Sequence, residues 1–397
     1  MTATPLDINE INGIDLFSET NLDNPYPIYQ RLREAGGAVW LERIGCWAVT
    51  RYDGVRSALD NWETFTSAQG VGMNDQVNAH LVGTVLASDP PLHDTLRGVL
   101  ADRLSPRAVR GLSQDIRDQA DRLVDRVLEG NSFDAVSDLA RVFPFTIIAD
   151  LVGIPDDIRP RVLDWGDGVF NAMGPINDRG FSAIPIVEEQ FTWLYQLDGA
   201  SLPEGSMGRA IYEAADAGII EPQSAPALLS AYMSASMDTT ISSLGSTLML
   251  FAQHPDQWEA LRADRSLVPG AFNEALRYES PLQVFTRVAN ADVEFDEVSV
   301  PAGSRLLMLY GCANRDERHF GSDADRFDIT RDAADHLAFG LGLHGCAGQG
   351  LARLEVHSML NALADRVTRF ELTGEPVRHI NNCVRSLGSL PMVAHVA

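Results

Sequence analysis

The sequence contains no lysine: all 31 basic residues are arginines, set against 55 aspartates and glutamates, for a formal charge of -24. A surface of that sign repels a phosphate backbone, so nucleic acid is not an expected partner. Cysteine is scarce as well. Cys46, Cys312, Cys346 and Cys383 lie far apart with no CxxC spacing, which predicts neither a zinc site nor a disulfide scaffold and fits a reducing cytoplasm. The first residues (MTATPLDINEINGIDLF) lack both a basic start and a continuous apolar run, so no signal peptide or membrane anchor is expected. Nor is there an unbroken run long enough to cross a bilayer. The longest apolar stretch, Ala225 to Phe251, is interrupted by Ser234, Ser236, Asp238, Thr239, Thr240, Ser242 and Ser243, as suits a buried helix of a globular protein.

What is present is ample core material. Hydrophobic residues make up 45% of the 397, and no repeat, low-complexity tract or linker divides them, which favours one domain over 1–397 with residues 1–24 as an extension. Helical periodicity dominates. Ser105-Pro106 has the pattern of an N-cap with proline at the first helical position, and Val109, Leu112, Ile116, Leu123 and Val127 then trace one apolar face as far as Gly130. Further helices are predicted at 136–151, 157–172, 225–253, 269–278 and 346–367. Strands are the minority: VWLERIGCWAVTRY around Gly45 reads as a hairpin, and 293–309, broken at Pro301-Ala302-Gly303, as a second small sheet. The predicted class is mainly α with small β-sheets.

The sharpest local signal is FGLGLHGCAGQGLARLE, Phe339 to Glu355. Glycines at 340, 342 and 345 permit a tight turn and a close approach of backbone to a flat ligand. A helix N-terminus starting at Cys346 is expected to depress its thiol pKa, and a thiolate on haem iron pushes electron density that favours O–O cleavage. The segment resembles the cysteine loop of the cytochrome P-450 superfamily, Phe-Gly-x-Gly-x-His-x-Cys-x-Gly, at Phe339, Gly340, Gly342, His344, Cys346 and Gly348. Two more signatures of that family follow its order: Glu274-Ala275-Leu276-Arg277 and Asp325-Arg326-Phe327.

The resemblance implies a triangular, single-domain haem protein that binds haem b (iron protoporphyrin IX) through Cys346. Glu274 and Arg277 share a helix face, and an ion pair completed by Arg326 is expected to be structural and buried. His93, Arg97, Arg287 and His344 match the family's partners for the haem propionates, with Phe339, Gly340 and Ala235 also against the cofactor.

An acid followed by a hydroxyl, midway along an apolar helix, has no packing role. Reducing dioxygen to one inserted oxygen atom and one water consumes two protons, which a dry pocket lacks unless the protein relays them. By resemblance Thr239 faces the oxygen, and Asp238 exchanges protons with the solvent side. The family usually has glycine where Ser236 stands, so its Cβ and hydroxyl are expected to narrow or rewire the groove there.

A closer similarity is to bacterial members that O-demethylate or hydroxylate para-substituted benzoic acids, carried by FTSAQGVGMND, GVFNAMGPIND, YESPLQVFTR and NNCVRSLGSLP. It implies a narrow slot lined by Val71, Phe170, Met173, Ser234, Ala235, Val284 and Phe285. That subfamily usually carries arginine near positions 69 and 230, where this chain has Gln69 and Ser230. The field favouring a carboxylate is thereby weakened, so methoxyphenols stand level with methoxybenzoates, with Ser67 and Ser234 as polar contacts. A neutral terpenoid is the alternative substrate. Electrons are expected from a 2Fe–2S ferredoxin and an NAD(P)H-dependent reductase, docking near Cys346 on a patch of Arg103, Arg107 and Arg110. A peroxide-driven peroxygenase and a haem-based sensor are the rival readings; the Asp238-Thr239 pair argues against both.

Overall fold

The structure is a computed structural model that describes residues 13–130 and 132–396, so the first half of the 1–24 stretch lies outside the described residues. Within that stretch, Ile14, Leu16 and Phe17 are buried against Val39, Leu41 and Leu307. The chain is mainly helical with small sheets, as the periodicity predicts.

The largest sheet has five strands: β1 (Ala38–Leu41), β2 (Cys46–Val49), β3 (Phe65–Thr66), β4 (Val284–Ala289) and β5 (Arg305–Leu309), in the order β1-β2-β5-β4-β3. The predicted hairpin is its edge, turning at Gly45 with φ +62°. Only β2 and β5 pair in parallel. The predicted second sheet divides. Val293–Phe295 and Val298–Val300 form a separate hairpin, while β5 crosses into the main sheet, because Pro301-Ala302-Gly303 reverses the chain between them. Near the C-terminus, β6 (Val377–Ile380) and β7 (Arg385–Ser389) form another hairpin.

Six helices position the site: α1 (Leu92–Gly98), α2 (Arg159–Ala172), α3 (Asp178–Gln196), α4 (Ser224–Gln253), α5 (Val268–Tyr278) and α6 (Gln349–Arg366). The 30-residue α4 is the central element, packed by α2, α3, α5 and β7. Its apolar residues face all sides because it is surrounded by protein, not lipid. No helix among the described residues is long and apolar enough to cross a membrane.

Two predicted helices are subdivided. Ser105 does cap its helix, accepting from Ala108 N at 3.3 Å, but the helix ends at Gly111 and a second one runs over Ser113–Leu128. The stretch expected as one helix over 136–151 starts with a π-helical segment, Ala135–Ala140, capped by the Asp134 carboxylate, before Val142–Val152. The helix expected from Cys346 begins three residues later, at Gln349.

Beneath the sheet, Arg277 Nε and Nη2 donate to the two carboxylate oxygens of Glu274 at 2.7 and 2.9 Å, with both side chains fully buried. Arg277 Nη1 also donates to the carbonyls of Asn314 and Ala324, and Glu274 accepts from Asp328 N at 3.0 Å. The third arginine is not the expected one. Arg326 is exposed and contributes only its carbonyl to Arg277, whereas the Arg331 guanidinium lies 3.5 Å from Glu274. The turn after Asp325 points the Arg326 side chain outward and brings Arg331 back over the pair.

Truncating one partner of a buried ion pair leaves the other charge uncompensated. Arg277→Ala is therefore expected to lower the unfolding free energy by about 3–5 kcal/mol. Arg326→Ala is expected to stay within about 0.5 kcal/mol of the parent. Urea unfolding followed by circular dichroism distinguishes the two, and equal losses would return Arg326 to the cluster.

Candidate active site

Between α4 and the cysteine loop lies a cavity of about 1710 Å³, part of it continuous with solvent.

Cys346 sits at its floor. The loop is shaped by Gly340 and Gly342, both at positive φ (+66° and +64°), and closed by Cys346 N donating to Phe339 O at 2.8 Å. At Gly342 a side chain would also meet the Leu59 carbonyl at 2.9 Å. Gly345 has φ -56° and needs no such freedom. The N–H groups of Gly348 and Gln349 point at the sulfur. They, Arg97 and Arg353 oppose the dominant effect of burial, which pushes the Cys346 thiol up. The expected depression is thus reversed, since a desolvated thiolate costs more than these dipoles and charges return. Ligation of a metal cation removes the proton outright. Among the described residues no group of three or more His, Cys, Asp or Glu is placed to hold a metal. A metal at Cys346 therefore has to arrive with its other ligands, as in a macrocycle.

Four donors converge at one end. Arg97 and Arg287 line the cavity with His344, and the His93 ring meets the His344 ring edge to face, with centroids 4.6 Å apart. Arg97 Nη2 donates to Gly345 O at 2.6 Å, which ties α1 to the cysteine loop. His93 Nε2 and His344 Nε2 are buried without hydrogen-bond partners among the described residues, although His344 Nε2 comes within 3.9 Å of Asp89. Burial, then Arg287, His93 and Arg97, push His344 down to about 3. Burial likewise lowers Arg287. Cationic and orphaned donors gathered in a dry place call for an anionic ligand. The two carboxylates of a haem fit them.

Opposite the floor runs α4. Ala235, Ser236, Thr239, Thr240 and Ser243 face the cavity. The hydroxyls of Thr239, Thr240 and Ser243 donate to carbonyls four residues back, at 2.8, 3.0 and 2.6 Å, leaving their lone pairs free. Ser236 turns its hydroxyl onto the Tyr232 carbonyl. Asp238 points to the other side of the helix. Burial and then the Asp167 charge push it up to about 8, so its carboxyl keeps a proton at neutral pH.

Val71, Phe170, Met173, Ser234, Ala235 and Phe285 line the cavity together. Thr286 holds the loop in place, its N–H donating to Val71 O and its hydroxyl to Gly72 O, both at 2.9 Å. Met73 N bonds Met173 O, fastening that loop to the end of α2. Val284 is not in the lining. Side chains alternate along β4, so Phe285 and Arg287 face the cavity and Val284 is packed into the core behind. Ser67, though buried, is also outside the lining, and Gln69 is exposed. Ser230 Oγ donates to the fully buried Gln190 at 3.1 Å, and Gln190 Nε2 lies 3.5 Å from Ser234 Oγ.

Sequence reasoning missed Tyr232, which lines the cavity one turn before Ser236, and Glu355, whose buried carboxyl lines it from α6. Burial holds Glu355 well above the ordinary range, and its Oε2 has no partner among the described residues. An acid on the buried face of a helix after Cys346 was the available signal.

Comparisons with known proteins agree with this geometry. The family described as Cytochrome P450 matches residues 221–391. The chain is 38% identical over 385 residues to cytochrome P450 CYP199A2 of Rhodopseudomonas palustris, covering 96% of this chain and 93% of that protein. It is 32% identical to the cytochrome P450 monooxygenase PikC of Streptomyces venezuelae, over 93% of this chain and 91% of the relative. Among solved structures, cytochrome P450 CREJ in complex with (4-ethylphenyl) dihydrogen phosphate superposes with a TM-score of 0.85 at 28% identity, covering 97% of this chain and all of that one. With a full-length relative this similar and a cavity built around one cysteine, the chain belongs to the cytochrome P450 family and is a haem-thiolate monooxygenase, an oxidoreductase whose prosthetic group is haem b.

Proposed function

We propose that this monooxygenase inserts one atom of dioxygen into a small, planar and electrically neutral aromatic substrate, with O-demethylation of a methoxyphenol as the leading reaction. Thiolate-ligated haem b supplies the activation of dioxygen. Cys346 would hold the iron, and His93, Arg97, Arg287 and His344 the propionates, with Phe339, Gly340 and Ala235 against the ring. Thr239 would steady the oxygen and take protons from Asp238.

The observation that carries the substrate reading is the charge of the slot. Its cations, Arg97 and Arg287, lie at the end where His93 and His344 gather, while the apolar end has Ser234 as its polar group among Val71, Phe170, Met173 and Phe285. A buried carboxylate there would lack compensation, whereas a phenol needs one hydrogen bond. The likeness to a protein holding a para-substituted aryl phosphate supports a slot for a single ring. A para-substituted benzoic acid is the competing substrate.

Electrons would come from a 2Fe–2S ferredoxin and an NAD(P)H-dependent reductase. Arg107 and Arg110 are exposed on Pro106–Gly111, which packs on α6 just beyond Cys346. Arg103, the third member expected of the patch, is tied to the Gly205 carbonyl.

Three measurements test this reading. In the reduced protein, carbon monoxide should give the red-shifted absorption of thiolate ligation, and Cys346→His should abolish it without loss of fold. Arg287→Ala should speed haem transfer to an acceptor apoprotein at least about tenfold, the loss of a charge-assisted hydrogen bond worth ~1.5–3 kcal/mol. In a binding screen read by the water-displacing shift of the haem spectrum, methoxyphenols should bind at least as tightly as the matching benzoates and release formaldehyde on turnover. Tighter binding of the benzoates would overturn the neutral-substrate reading.

A further inference from the structure

On the far side of α4 from the haem cavity lies a second, polar chamber of about 640 Å³. Asp238 lines it from α4, Asp164 and Asp167 from α2, His379 and Asn381 from the β6–β7 hairpin, and Arg141 from the turn before Val142–Val152. The Oδ2 of Asp238 is buried and has no hydrogen-bond partner among the described residues. It rests over the bare Cα of Gly166, where an added Cβ would lie 2.2 Å away.

One residue further along α2, Asp167 Oδ1 accepts from Asn381 Nδ2 at 2.7 Å and lies 2.6 Å from His379 Nε2. Its Oδ2 accepts from Asn171 at 3.0 Å. This pair reaches water: 41% of the His379 side chain and 33% of the Asp167 side chain are exposed. A buried acid without a partner thus shares a chamber with an acid–histidine pair open to solvent.

We propose that Asp167 and His379 form the solvent-side end of the proton relay and reload Asp238 through this chamber after each proton it releases towards Thr239. The proposal rests on the reading of Asp238 and Thr239 as that relay. Each turnover takes two electrons from the ferredoxin, one dioxygen and two protons, and returns one water with the oxygenated product. Each proton leaves the Asp238 carboxyl, which regains one from the His379 imidazolium by way of chamber water. The imidazole is reprotonated from bulk solvent. Asp167 and His379 touch neither substrate nor cofactor and are positioning residues.

The charges around the chamber agree with these roles. Its hydrogen bond to Asp167 raises His379 above its ordinary value, and the same bond helps hold Asp167 below its own. The Asp167 charge helps keep Asp238 protonated, while His379 and Arg141 oppose it. Asp164 is paired with Arg161 at 2.8 Å.

The test uses the complete enzyme with ferredoxin, reductase and NAD(P)H, and compares Asp238→Asn, His379→Gln and Asp167→Asn. Haem content and the substrate-induced spectral shift first establish that each variant is folded. His379→Gln keeps a donor to Asp167, and Asp167→Asn serves in its place should that variant fail to fold.

Asp238→Asn should slow product formation on the order of 10²-fold. His379→Gln should slow it by about tenfold, with a larger solvent deuterium isotope effect and more dioxygen lost as peroxide. A readout independent of turnover is the infrared carbonyl band of the protonated Asp238, identified by its absence in Asp238→Asn. It should fade as pH rises through about 8 in the parent. In His379→Gln, which lacks the opposing imidazolium, the band should persist to higher pH. If Asp238→Asn leaves rate and isotope effect unchanged, the relay reading itself fails. If Asp238→Asn is slow but His379→Gln and Asp167→Asn match the parent in rate, isotope effect and carbonyl band, the relay stands and this proposal falls.

Discussion

One sulfur atom must be held still beneath a cavity, and most of the structure follows from that constraint. Cys346 stands on a loop that two left-handed glycines make possible, and its own N–H closes the loop onto the Phe339 carbonyl. The loop is in turn braced from two sides. Arg97 reaches from α1 to the Gly345 carbonyl, while Arg353 on α6 stacks over the Phe339 ring at 4.9 Å. Behind this sits the Glu274–Arg277 pair, whose hydrogen bonds reach the carbonyls of Asn314, Ala324 and Arg326 and so collect distant turns into one rigid support. Such a pair adds little net stability over an apolar core, but its geometry admits few alternatives.

Charge is sorted across α4. Cations and two imidazoles whose Nε2 atoms have no partner among the described residues occupy one end of the cavity, hydroxyls line its roof, and apolar side chains fill the remaining slot. The titratable groups that face water lie on the opposite side of the same helix. Asp238 lies on the chamber side of α4, among hydroxyl neighbours that donate to carbonyls four residues back. In the proposed relay, this separation would bring protons to the cavity side through α4 from the polar chamber behind it.

Much was legible from local pattern. The cysteine loop, the Glu274–Arg277 spacing, α2, α4 and α5 all depend on interactions within a few residues, so the sequence displays them directly. Where it misled, longer-range packing had the deciding role. The 105–130 helix breaks at Leu112, and a π-helical turn precedes Val142. Val284 was expected in the slot, but strand alternation assigns that face to Phe285 and Arg287. Arg326 was placed in the core by its neighbours in sequence, and the fold substitutes Arg331.

By itself, the sequence determined the cysteine loop, the helical class and the adjacency of Asp238 and Thr239 on one helix, because each is written in neighbouring residues. Only the tertiary structure decided that Asp238 faces Asp167 and His379, which lie about 70 residues before it and about 140 after it along the chain. It also decided that Ser230 spends its hydroxyl on the buried Gln190 of α3. Both outcomes depend on which helix faces meet, and that is settled by burial over the whole domain, not by any local run of residues.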